Sequence, residues 1–330
     1  MEEKLMLTVI VLVYNHEKYI RQCLESVLNQ DTKYSFEILI GEDASTDNTR
    51  VVLHNLEKEY KSKIKVFYRD INLGMSKNLY ELCVKSSGKY MIWLDGDDYW
   101  LSKDKIQMQI DFLESNREYI AVAHKVQMVN GKGQNLPYHY LGDCNKKEYT
   151  LKEFRKEKLP GHTSTIMFRN NFFGKKISDY LPLIEYPCDR KLAFILAATG
   201  KIFCLDVVMS AYRQIVKEGS SFSANTEWRN SQKMNHILYT KYNYEYSIKQ
   251  KMTKECIVIS GQLYFRAALK DFVRRKPINE RKKVINDFFT SKYKFSIWVW
   301  ILMNCSYYGF ILLYNKILEK RSHFLNEKYS

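Results

Sequence analysis

The chain has 330 residues, 45% hydrophobic and 27% charged, with only 5 prolines and 13 glycines. At roughly 150 residues per domain this is about two domains with sizeable cores, and disordered and collagen-like classes are excluded. The formal net charge of +15 is uneven: residues 216–330 carry 21 Lys and Arg against 9 Asp and Glu, a net +12, which leaves +3 for residues 1–215.

Leu7–Val13 is a continuous apolar run rich in β-branched residues, the pattern of a strand buried on both faces. Ile20, Cys23, Leu24, Val27 and Leu28 recur at spacings of three and four, which predicts a helix. Residues 36–40 form a second strand, and the polar stretch 46–49 can cap a helix carrying Val51, Val52 and Leu56. A third strand follows at Ile64–Tyr68, then a turn at 72–74 and a helix with Leu79, Leu82 and Cys83, and a fourth strand at 90–94. Four β-α alternations predict an α/β fold with a Rossmann-like, mostly parallel sheet and helices on both faces. Residues 103–118 read as a helix, and 120–215 as short strands, loops and one apolar helix at 191–199. From 227 onward the pattern is helical and rich in Tyr and Lys. The organisation expected is a nucleotide-binding half at 1–115, an acceptor-binding half at 116–215 and a basic helical region at 216–330.

Seven cysteines lack any CxxC pair, which argues against a disulfide framework and a zinc site and makes them small core hydrophobes. The first apolar run is too short for a secretory leader with its flanks, so a cytoplasmic location is expected.

In a parallel sheet, ligands bind at the carboxyl ends of the strands. Three such ends are polar here: Tyr14, Asn15, His16 and Glu17; then Glu42 and Asp43; then Asp95, Gly96, Asp97 and Asp98. Three carboxylates in four residues repel one another and persist where a cation or several donors neutralise them. Hard oxygen ligands suit Mg²⁺ or Mn²⁺, which bridge phosphate oxygens. Gly96 would let a ligand approach the backbone closely. Glu42 and Asp43 could bind a ribose or a base edge, or simply favour a helix N-terminus. Tyr14 could stack on a base or lie in the core. Together, an aromatic, a carboxylate pair and a metal-type cluster on one sheet edge fit a nucleoside diphosphate.

The segments "TVIVLVYNHEKYIRQCLESVLNQ", "FEILIGEDASTDNT", "INLGMSKNL" and "GKYMIWLDGDDYW" resemble the successive motifs of a family 2 glycosyltransferase of the GT-A fold. "GHTSTIMFRN" and "EYPCDRKLAFILAATGKIFCLDVVMSAYR" resemble its acceptor half more weakly, up to about residue 215. The resemblance implies an inverting, metal-dependent transfer from a nucleotide sugar, a UDP-sugar, to a saccharide or lipid-linked hydroxyl in surface polysaccharide or glycoconjugate synthesis. It implies that Asp43 contacts the base or ribose. Asp95 and Asp97 would be the DxD pair on the metal–diphosphate, with Asp98 a further ligand. Asp189 would be the general base, although Arg190 replaces an aromatic that often follows it, and Glu185 is the alternative. His162 and Arg213 are candidates for lining the acceptor site or meeting the diphosphate.

Two other readings compete. A haloacid-dehalogenase-type phosphotransferase wants Thr or Val where Tyr99 stands, and it carries its Asp pair on the first strand. A non-catalytic nucleotide-sugar or anionic-surface binder would be expected to have lost its carboxylates. No zinc-finger, RNP or P-loop pattern points to nucleic acid.

The charge-free run 295–315 is long enough for a membrane span. Its Trp298 and Trp300 suit an interface, while its polar residues suit an ordinary buried helix pair. With the basic triplets 274–276 and 281–283, the expectation is peripheral or monotopic association with the anionic inner face of the cell membrane.

Overall fold

The computed structural model describes residues 5–61, 63–137, 144, 147–156, 158–172, 175–176, 188–215 and 226–273, by backbone alone at 171–172, 175–176, 188, 226–237 and 268–273. The first elements are β1 (Leu7–Val13), α1 (Ile20–Leu28), β2 (Phe36–Glu42), α2 (Thr49–Tyr60), β3 (Ile64–Tyr68), α3 (Met75–Lys85) and β4 (Tyr90–Asp95). Next come β5 (Tyr99–Trp100), α4 (Lys105–Ser115), β6 (Tyr119–Asn130), β7 (Glu148–Tyr149), α5 (Leu151–Phe154) and β8 (Met167–Arg169). The chain continues through β9 (Asn171–Phe172), β10 (Lys175–Lys176), α6 (Cys188–Thr199), β11 (Lys201–Gln214), α7 (Thr226–Lys249) and α8 (Lys254–Val273).

All seven residues of β1 are buried, because β1 lies inside the sheet, parallel to β2 on one side and to β4 on the other. The sheet order is β3-β2-β1-β4-β8-β6-β11-β5, with β7 added on β11. Strands β8, β5 and β7 run antiparallel to their neighbours, and the rest run one way. On α1, Ile20, Cys23, Leu24, Val27 and Leu28 share one core with Val9, Val11, Ile92 and Leu94. Each such side chain contributes about 1.5–3 kcal/mol when fully buried. Cys23, Cys83, Cys144, Cys204 and Cys256 are buried and in no disulfide.

One feature departs from the sequence expectation. Residues 120–215 hold long strands as well as short ones: β6 and β11 have 12 and 14 residues and pair in parallel. Irregularities between Leu205 and Ser210 break the alternation that would have announced β11. The polar stretch 46–49 caps α2 through Asp47, whose Oδ1 accepts the Thr49 N–H at 3.0 Å; Asn48 itself makes no side-chain cap bond.

Residues 1–235 form one compact unit and 236–330 another, so the break falls within α7. In the second unit Tyr244, Ile257, Tyr264 and Ala267 pack together. Among the described residues no helix is long and apolar enough to cross a membrane. The run 295–315 and both basic triplets lie outside the described residues.

Candidate active site

Strand register brings the polar loops together. Val13 pairs with Glu42 and Leu12 with Asp95, so the carboxyl ends of β2, β1 and β4 meet along one edge. The strand order turns back between β1 and β4, which opens a crevice there. Asn15 and Ala44, just past β1 and β2, both have φ of +58°. A non-glycine residue in that region costs of order 1–3 kcal/mol and persists where its surroundings hold it. Here the holding bonds run between the two loops. The Asn15 N–H donates to Ser45 Oγ at 2.9 Å, the Thr46 N–H to Asn15 Oδ1 at 2.8 Å, and the His16 N–H to Thr49 Oγ1 at 2.8 Å.

Glu42 is fully buried and both its oxygens have protein partners. Oε1 accepts the Ser45 N–H at 2.6 Å and Oε2 accepts Arg50 Nε at 2.5 Å. Asp43, also buried, accepts the Leu73 and Gly74 N–H groups at 2.7 and 2.9 Å. Gly74 supplies the positive φ, +78°, that this turn needs. Burial pushes the Asp43 carboxyl up, against the two N–H bonds and Arg69 that pull it down. Each Asp43 oxygen keeps a second lone pair. Tyr14 stands half-buried beside the same edge.

The acidic turn closes on itself: the Gly96 N–H donates to Leu12 O at 2.8 Å and the Asp98 N–H to Asp95 O at 3.0 Å. The side-chain direction of Gly96 is filled by protein atoms. A Cβ there would lie 2.7 Å from His16 Nδ1, 3.1 Å from Val13 Cγ2 and 3.2 Å from Ile20 Cδ1, so the packing behind the turn itself requires glycine.

Asp98 is 1% exposed. Its Oδ1 accepts the Arg213 N–H at 2.8 Å. Its Oδ2 has no hydrogen-bond partner and lies 3.6 Å from His162 Nδ1. Ser164 also meets that ring nitrogen, its Oγ at 2.9 Å and its N–H at 3.4 Å. His162, just before the 3₁₀ turn Thr163–Thr165, stacks on Tyr212 with ring centroids 4.2 Å apart. Burial pushes its pKa down to about 3, so the ring is neutral at pH 7. A buried carboxylate oxygen without a hydrogen-bond partner thus lies beside an imidazole nitrogen, a place that a proton or a cation would neutralise.

Ligand atoms of Asp95, Asp98 and His162 all lie within 4.8 Å of one another, and two oxygens with an imidazole nitrogen suit Mn²⁺ or Mg²⁺. Burial and the neighbouring Asp97 charge push the Asp95 carboxyl up to about 7. The same causes hold Asp98 well above the carboxylate range. Asp97, 7% exposed, stands outside this group of three, its Oδ1 4.0 Å from His16 Nε2.

Asp189 sits in the first turn of α6, half-buried, its Oδ1 accepting the Arg190 N–H at 2.7 Å. Burial raises its pKa, and its charge reaches Asp95 and raises that group's pKa in turn. Glu185 lies outside the described residues. Arg213 is 2% exposed, and four of its five guanidinium N–H groups already meet Asp97 O, Asn130 O, Gly131 O and Gln22 Oε1. The sequence reading missed the His16–Asp97 contact and the pairing of His162 with Asp98. The strand-end position of His16 was the available signal for the first; the second depends on a contact across 64 residues.

A sheet of this order with an acidic turn at its crevice has the GT-A architecture. The model of the family "Glycosyl transferase family 2" matches residues 8–179, just over half of the chain, and the chain belongs to that family. An uncharacterised protein of Mycobacterium bovis is 25% identical over 212 residues, covering 63% of this chain and 58% of that protein. The putative teichuronic acid biosynthesis glycosyltransferase TuaG of Bacillus subtilis is 36% identical over 110 residues, 33% of this chain and 42% of TuaG. Among solved structures, S. aureus TarS 1–349 in complex with UDP-GlcNAc superposes with a TM-score of 0.62 at 20% identity, covering 86% of this chain and 80% of TarS 1–349.

Proposed function

We propose that the protein is a glycosyltransferase that moves a sugar, with inversion, from a UDP-sugar to a hydroxyl of a saccharide or lipid-linked acceptor. The observation that carries this reading is the orphaned Asp98 Oδ2 between Asp95 and His162 at the carboxyl edge of the sheet. Asp95, Asp98 and His162, with Asp97 beside them, would hold a divalent metal. Bound there, such an ion would supply Lewis-acid stabilisation of the departing diphosphate.

The remaining work belongs to side chains of the chain itself. Asp43 has spare lone pairs for a base or ribose donor group, and Tyr14 and Asn15 line the same edge. Glu42, with both oxygens engaged, fixes the loop from which Asp43 projects. Asp189 takes the proton of the acceptor hydroxyl as it attacks the anomeric carbon from the face opposite the diphosphate; its raised pKa suits a general base. The UDP leaving group departs as an anion and needs no proton from an acid.

Support for a UDP-sugar comes from the UDP-GlcNAc complex of the structural neighbour. Support for a surface-polymer acceptor comes from TuaG and from a poly(ribitol-phosphate) β-glucosyltransferase of Bacillus spizizenii, 30% identical over 129 residues, 38% of this chain and 20% of that protein. The test is calorimetric titration of the full chain with UDP, with Mn²⁺ and with EDTA. Binding that needs Mn²⁺ and is lost in Asp98→Asn supports the reading; equal binding with EDTA overturns the metal role, and no UDP binding in either buffer overturns the donor assignment.

A further inference from the structure

Four segments of the first unit meet at Arg213. Its Nε donates to Asp97 O at 2.8 Å, Nη1 to Gly131 O at 3.1 Å and Asn130 O at 3.3 Å, and Nη2 to Gln22 Oε1 at 2.7 Å. The Tyr19 and Tyr99 rings flank the guanidinium, 4.6 and 5.2 Å from Cζ to the ring centroids. The Arg213 backbone N–H holds Asp98 Oδ1 at 2.8 Å. One residue at the end of β11 therefore grips the acidic turn twice, once through the Asp97 carbonyl and once through the Asp98 carboxylate. It ties that turn to α1 through Gln22 and to the turn after β6. With Oδ1 held, Asp98 Oδ2 is left turned toward His162.

A guanidinium so fully engaged has no fork to offer a diphosphate. We infer that Arg213 is a positioning residue: it presets the Asp97–Asp98 turn so that the carboxylates stand ready for a metal–diphosphate before any ligand arrives. The inference rests on the metal-site reading above. Lysine would keep the backbone N–H on Asp98 Oδ1 but cannot replace the guanidinium, because one ammonium cannot span Asp97 O, Gly131 O and Gln22 Oε1 at once. Residues that orient metal ligands from behind typically govern roughly 10–100-fold in metal affinity.

The experiment measures Mn²⁺ binding in the presence of UDP by electron paramagnetic resonance on the full chain, with no turnover required. Arg213→Lys should weaken Mn²⁺ binding roughly 10–100-fold while circular dichroism stays native. Arg169→Lys is the control. Arg169 grips Leu113 O and Tyr119 O at 2.6 and 3.0 Å within the same unit, so its loss should lower the melting temperature and leave Mn²⁺ affinity unchanged. Gln22→Leu, which removes one guanidinium partner and keeps the arginine, should shift Mn²⁺ affinity in the same direction by a smaller factor, and it decides the matter if Arg213→Lys does not fold. Unchanged Mn²⁺ affinity in a folded Arg213→Lys, or equal weakening in Arg169→Lys, overturns the inference and leaves the metal site standing. Failure of the wild-type chain to bind Mn²⁺ overturns both.

Discussion

Asp98 has one oxygen with a partner and one without, and that difference singles out its chemistry. Asp98→Asn puts an amide where Oδ2 faces His162, so UDP affinity in Mn²⁺ should fall roughly tenfold or more, as calorimetry reads it. A second expectation concerns pH. Burial and the Asp97 charge push Asp95 up to about 7 and hold Asp98 well above the carboxylate range, so above the ordinary carboxylate range the native state holds protons that the unfolded chain has released. Stability without metal therefore falls as pH rises through that window. Metal must displace those protons, so its binding strengthens as pH rises. The Mn²⁺-induced rise in melting temperature should be larger at pH 8 than at pH 5.5; an equal rise at both would mean the ion binds elsewhere. At the acceptor side, Asp189→Asn should lower turnover roughly 10²–10⁴-fold with UDP binding unchanged, in steady-state kinetics beside calorimetry. The carboxylates Asp43, Asp95, Asp97 and Asp98 were legible in the sequence because they follow buried strands directly. His162 was legible as a polar residue before a strand, but its place beside Asp98 was not, because tertiary contact alone makes it.

The strand-to-helix loops carry the site, and their shape depends on close packing behind them. Gly96→Ala would set a methyl group 2.7 Å from His16 Nδ1. Overpacking of this kind costs about 1–3 kcal/mol, and denaturant melts should show it as a lower midpoint. Removing the obstacle in the Gly96→Ala/His16→Ala double variant should recover part of that loss, since neighbouring substitutions couple. Simple additivity would place the strain elsewhere. The first four strands and their helices were readable because β1 and β4 are apolar runs with no charge inside them, β2 and β3 each carry one charged residue inside an apolar run, Glu37 and Lys65, and the helices keep their spacings of three and four. The strands β6 and β11 were less so. His124 and Lys125 interrupt β6, and Asp206 sits where β11 is irregular, so neither has the clean period from which a strand is read.

The whole chain joins a nearly balanced first part to a basic last part, +12 over residues 216–330. Basic side chains near an anionic leaflet contribute about 1 kcal/mol each and are screened by salt. The full-length protein should therefore float with vesicles rich in anionic lipid at low salt, and float less at 0.5 M salt or with zwitterionic vesicles. Equal flotation with both lipids would assign the attachment to apolar contact, and none at all would remove the membrane from the account. The proposed function turns on one step, release of UDP from a UDP-sugar as the sugar is transferred. The most direct measurement is nucleotide release from a panel of UDP-sugars by the purified full chain, read by mass spectrometry with Mn²⁺ and with EDTA. Release from at least one donor is expected, requiring Mn²⁺ and lost in Asp98→Asn. Release that persists in EDTA and in Asp98→Asn, or no release from any donor with Mn²⁺ and a saccharide acceptor present, would contradict it.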